Sequence, residues 1–160
     1  MFCASGPGSP IARYLHGFLQ SLYYVVARAT TFTGGVDAVQ AMETYAKNGL
    51  LQKNTLLATI EIKDLITVFS HEEVLKTLER FLCDHVSDQQ TSGLSHTTII
   101  ALVRLVLRLQ YFVYDDKLYR QTTGGGTGLP LIKLLAEIYL FYWQQDLIKF
   151  LSKRKEVYGR

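Results

Sequence analysis

The chain has 160 residues, enough for one domain with a real core. Its composition is 48% hydrophobic and 19% charged, which excludes a disordered polypeptide. The net charge of +3 is mild and does not by itself demand a nucleic-acid partner.

In chain order, Met1–Gly8 is small-residue-rich and expected to be flexible, with the flexible N-terminus ending at residue 9. Ser9-Pro10 then starts a helix, with Pro in its first turn. Ile11, Tyr14, Leu15, Phe18, Leu19, Leu22 and Val26 recur at helical spacing. Thr30–Gly35 reads as a loop, and Val36–Lys47 as a second helix closed by Asn48-Gly49. Thr55–Ile62 is apolar and partly β-branched, so a buried strand is expected there. Ser70 with Glu73 forms a capping box for a helix running to about Cys83. Asp84–Gly93 is a polar loop. Ser95 caps a further helix carrying Ile99, Ile100, Val103, Val106 and Leu107. Gln110–Val113 and Leu118–Gln121 flank Asp115-Asp116 as the arms of a hairpin, and aspartates are ordinary turn residues. A glycine-rich turn follows, and the final helix starts near Leu131. Residues 152–160 form a basic tail behind the domain at 10–151.

Several functional classes drop out. The richest apolar run, Leu129–Trp143, is interrupted by Lys133 and Glu137 and is too short to span a membrane. Leu15–Ala29 resembles a signal peptide only loosely, because His16 and Gln20 interrupt it and a charged start is missing. Cys3 and Cys83 fit neither a metal spacing nor a disulfide framework, so an intracellular compartment, nuclear or cytoplasmic, is expected. His16, His71, His85 and His96 have no i,i+4 partner for zinc. No serine sits in a Gly-x-Ser-x-Gly elbow.

The most informative stretch is Tyr119-Arg120-Gln121-Thr122-Thr123-Gly124-Gly125-Gly126-Thr127-Gly128-Leu129-Pro130. Its glycines allow positive φ and close approach of another molecule to the backbone. A helix N-terminus behind such a turn favours a phosphate. No Lys-Ser or Lys-Thr follows the last glycine, so this is not a P-loop. The stretch resembles the Gln…Gly…Gly-x-Pro-Leu motif of reverse transcriptases. Upstream, Thr59-Ile60-Glu61-Ile62-Lys63-Asp64-Leu65-Ile66-Thr67 and His71-Glu72-Glu73 are similar to the Thr-Phe-Asp-Ile-x-Asp-Leu-Tyr-Thr segment and helix start of Penelope-like retroelement enzymes. Lys117–Gln121 and Leu135-Ala136-Glu137-Ile138-Tyr139-Leu140 also resemble that family, in the same order.

The resemblance implies an α+β fold: helix-rich fingers and partial palm of a reverse-transcriptase-like polymerase, with a small antiparallel sheet. It implies templated DNA synthesis on an RNA template from a DNA primer, with Mg²⁺ held by carboxylates. Glu61 stands where the family has its first metal-binding aspartate, so it is the candidate catalytic and metal residue. A side chain longer by one methylene displaces the metal by roughly 1 Å, which can cost ~100-fold in rate. Ile66 stands where an aromatic normally rejects a 2′-hydroxyl. Gln121, Gly124, Gly125 and Gly128 would line the template–nucleotide surface, with Arg120 near phosphate. The family's second carboxylate pair, expected after the glycine motif, has no counterpart, because only Gln144-Gln145-Asp146 and the basic tail follow Trp143. A truncated or degenerate, catalytically incomplete copy is therefore expected. The alternative is a non-enzymatic nucleic-acid-binding or protein-interaction domain that keeps the fold. A truncated sheet would leave an apolar face, so self-association is also expected.

Overall fold

The computed structural model describes residues 6–87, 91, 93–126 and 128–160. It is mostly helical, with one two-stranded antiparallel sheet. The helices are α1 (Ser9–Ala27), α2 (Gly35–Lys47), α3 (Leu65–Val68), α4 (His71–His85), α5 (His96–Arg108), α6 (Pro130–Trp143) and α7 (Gln145–Lys153). The strands are β1 (Tyr111–Tyr114) and β2 (Lys117–Arg120).

Four helices make the core. α1 packs on α6, α6 on α4, α4 on α5, and α5 returns to α1, so the four close a ring. Each helix supplies one apolar face. α1 buries Ala12, Leu15, Leu19, Tyr23 and Ala27, spaced by three and four residues as a helical stripe requires. α4 contributes Val74, Leu75, Leu78, Phe81 and Leu82, and α5 Ile99, Val103, Val106 and Leu107. α6 buries half its length, including Leu131, Ile132, Leu135 and Ile138, because it lies between α1 and α4. Its Glu137 stays half-exposed and pairs with Lys133 one turn away. Caps place two of these helices: the hydroxyl of Ser70 accepts from the Glu73 N–H at 3.5 Å, and that of Ser95 from the Thr98 N–H at 3.1 Å.

The hairpin turns where the aspartates sit. Asp115 and Asp116 both have positive φ, at 49° and 54°, the requirement of a type I′ two-residue turn. The register pairs Tyr111 with Arg120 and Tyr114 with Lys117.

One expectation is corrected. Thr55–Ile62 is not a buried strand: the segment has no strand assignment and every residue in it is exposed, Leu56 by 90% and Ile60 by 74%. Its composition favours a strand, but a strand exists only against a partner, and the only sheet among the described residues is β1–β2. The helix begun at Ser70 runs two residues past Cys83, to His85. Within the expected loop Asp84–Gly93, residues 88–90 and 92 lie outside the described residues.

The periphery is held by the C-terminal segment. α2 and α7 bury no residue of their own. The Arg160 N–H donates to Thr30 O at 3.1 Å, and the Phe32 N–H donates to Arg160 O at 2.9 Å. The Arg160 guanidinium lies over the rings of Tyr23 and Phe141 and donates to the Tyr23 hydroxyl. Tyr45 donates to the Glu156 carboxylate at 2.8 Å, which ties α2 to the same segment. The basic tail expected from residue 152 onward thus folds back on the helices.

Candidate nucleic-acid site

The glycine turn begins where β2 ends. The Gln121 N–H donates to Gln110 O at 2.9 Å, continuing the hairpin register by one pair. The chain then enters the body of the protein, and Gly124, Gly125 and Gly126 are all buried. Their N–H groups are partnered internally. Gly124 donates to Phe69 O at 2.7 Å, Gly125 to Ile66 O at 2.8 Å, and Gly126 to the Gln110 side-chain oxygen at 2.6 Å. The Gly124 carbonyl accepts from Nε2 of His71 at 2.7 Å, which places the proton of that ring on Nε2.

The glycines are there because the packing leaves no room for a side chain. A Cβ on Gly124 would stand 2.1 Å from the Thr67 carbonyl oxygen, and the residue sits at φ +60°. A Cβ on Gly125 would meet Ile132 Cγ2 at 2.5 Å. What approaches the glycine backbone this closely is the turn of α3 and the start of α6. These N–H groups are spent on holding the loop to α3, to Phe69 just after it and to Gln110, and are not pointed at a ligand.

The two distant segments that carry the resemblance therefore meet. Residues 66–71 and 121–126 are joined by three hydrogen bonds, and Gln110 fixes the far side of the loop. Ile66 is half-buried and packs against the core, and its carbonyl accepts from the Gly125 N–H. Asp64 starts α3 in the left-handed region, φ 56°, a conformation that aspartate tolerates better than most residues.

The other candidates are not gathered there. Glu61 lies in the exposed segment before α3, outside any helix or strand. Among the described residues no group of three or more His, Cys, Asp or Glu side chains could hold a metal ion. Glu61 therefore stands as a single exposed carboxylate outside any such group. Arg120 is exposed at the end of β2, and Gln121 is half-buried beside it. Gly128 is exposed just before α6, and Thr127 lies outside the described residues. Arg104, a candidate phosphate contact on α5, is paired with Glu72 at 2.6 Å.

Sequence reasoning missed Gln110. It is 8% exposed, its oxygen holds Gly126, and its Nε2 has no partner among the described residues. It lines a cavity of about 20 Å³ with Ser9, Gln121 and Gly126. That is room for about one water. A lone glutamine between a helix and a hairpin carries no local signal of this role.

The hairpin supplies an exposed aromatic surface. Phe112 stacks on Tyr119 with centroids 5.6 Å apart, and Tyr114 meets Tyr119 edge-on at 6.5 Å. Strand alternation puts Phe112, Tyr114, Lys117 and Tyr119 on one face, and Tyr111, Val113, Leu118 and Arg120 on the other.

No helix among the described residues is long and apolar enough to cross a membrane. No family model, curated protein or solved structure matches this chain.

Proposed function

We propose that this chain is a fragment of a reverse-transcriptase-like domain that holds nucleic acid without polymerising it. The observation that supports the reading is the junction of residues 66–71 with the glycine turn, because the two segments resembling the polymerase motifs interlock across more than fifty residues of sequence. Catalytic incompleteness follows from the carboxylates. Glu61 is the one residue at a matching metal position, it is exposed, and it belongs to no group of three or more metal-ligating side chains among the described residues.

With the glycine N–H groups engaged, phosphate contact falls to the exposed cations of the hairpin, Arg120 and Lys117. Phe112, Tyr114 and Tyr119 offer rings on which bases stack, and such stacking tolerates any sequence. The partner implied is an RNA template with a DNA primer, bound weakly and electrostatically. Primer extension with Mg²⁺ or Mn²⁺ on an RNA template tests the catalytic half. No incorporation above a Glu61→Ala control is expected, and incorporation that depends on Glu61 would contradict the reading.

A further inference from the structure

The fold contains two halves of an unfinished sheet. The first is the hairpin: two strands of four residues each, almost wholly exposed. A two-stranded hairpin is marginal in water, and both its edges invite a third strand. The second half is residues 56–63. These residues make no backbone hydrogen bond among the described residues. As a strand they would alternate, with Leu56, Ala58, Ile60 and Ile62 on one side and Leu57, Thr59, Glu61 and Lys63 on the other.

The free edge of β2 has a definite pattern. Tyr114 and Lys117 close a two-residue turn, and Gln121 bonds to Gln110 in the same register, so Lys117, Tyr119 and Gln121 point their backbone groups at β1. The N–H and C=O of Leu118 and Arg120 therefore face outward.

Charge selects the register in which the segment fits that edge. Glu61 and Asp64 are three residues apart, as are Lys117 and Arg120. Laid antiparallel, Glu61 falls opposite Arg120, Asp64 opposite Lys117, and Ile62 opposite Tyr119, extending the Phe112–Tyr119 stack by one side chain. A slip of one residue either way ruins this. One slip sets Lys63 against Lys117; the other sets Ile62 against Arg120 and leaves both carboxylates without a cation. Asp64, at φ 56°, lies outside the β region, so the pairing ends there.

We propose that residues 59–64 of one copy add as a third, antiparallel strand to β2 of a second copy, with Glu61 opposite Arg120 and Asp64 opposite Lys117. The occupant is a second copy because the complementary charges lie on two segments of this same chain that share no backbone hydrogen bond or ion pair among the described residues. The exchange gives each copy a three-stranded sheet and covers Ile62. The exchange engages the Arg120 and Lys117 that would otherwise meet phosphate, so the two interactions compete, and the test uses the protein alone.

The test is sedimentation velocity of the full chain over a concentration series at low salt, with Glu61→Arg, Arg120→Glu and the double variant. Far-UV circular dichroism checks the fold of each; both side chains are exposed. Wild type should associate to a dimer. Each single reversal should weaken association roughly tenfold, because an attractive pair becomes repulsive in both contacts of the exchange. The double variant should recover most of the loss. A monomer at every concentration would overturn the proposal, including one whose residues 59–63 are protected from hydrogen exchange by closure within a single chain. Association indifferent to both single reversals would overturn it too.

Discussion

Gly124→Ala is expected to destabilise the fold by about 3–4 kcal/mol, and the structure sets that size. At φ +60° an alanine costs about 1–2 kcal/mol relative to glycine. Its Cβ would lie 2.1 Å from Thr67 O and 2.2 Å from Thr67 C. Those are backbone atoms of the α3 turn, so the contact is relieved only by parting the loop from α3. Parting it removes the Gly124–Phe69 and Gly125–Ile66 hydrogen bonds, worth about 1 kcal/mol each. Urea unfolding followed by circular dichroism measures the loss. Gly17→Ala is the control: it lies in an exposed part of α1 with nothing within 4 Å of its Cβ, and should stabilise by about 0.5–1 kcal/mol. A Gly124→Ala loss below about 1 kcal/mol would refute the claim that the glycines serve close packing against α3.

Three further outcomes are expected. Burial pushes the Tyr23 phenol up from its ordinary value of 10.0, against the opposing pull of Arg160. A raised folded-state value means full stability below pH 10 and progressive loss as pH rises above it. Tyr23→Phe should therefore make the decline in urea midpoint from pH 9 to 11 shallower, by at most about 1.4 kcal/mol per pH unit; an unchanged slope would show that Tyr23 is not the group responsible. Arg104→Ala should cost less than about 1 kcal/mol, because its pair with Glu72 has side chains 38% and 63% exposed. That cost should vanish in high salt, so a large salt-independent drop in melting temperature would mean that Arg104 acts through packing instead.

The helices were legible wherever a local signal fixes them. Ser9-Pro10, Ser70 and Ser95 mark the starts of α1, α4 and α5, and Asp115-Asp116 marks the turn of the hairpin. Helix starts and tight turns are decided by the side chains and dihedrals of a few adjacent residues. The Thr55–Ile62 segment failed because pairing is not local: alternation and branching describe a competent strand but not whether an edge awaits it. The glycine turn was legible as a place where something comes close to the backbone. What comes close was not, since Thr67, Phe69 and Ile132 reach it only through the tertiary fold. α7 escaped notice because Gln144, a polar residue that reads as a break, is buried, with its oxygen accepting from Tyr158.

Fluorescence anisotropy of a labelled RNA–DNA hybrid across a salt series measures the proposed nucleic-acid binding itself. Weak, sequence-independent binding that falls with salt is expected, with a slope set by the few phosphates neutralised, about two to four. Arg120→Ala, checked for fold, should reduce that slope by about one. No binding at low salt, or binding indifferent to Arg120, would overturn the proposed nucleic-acid role and favour a protein-interaction domain.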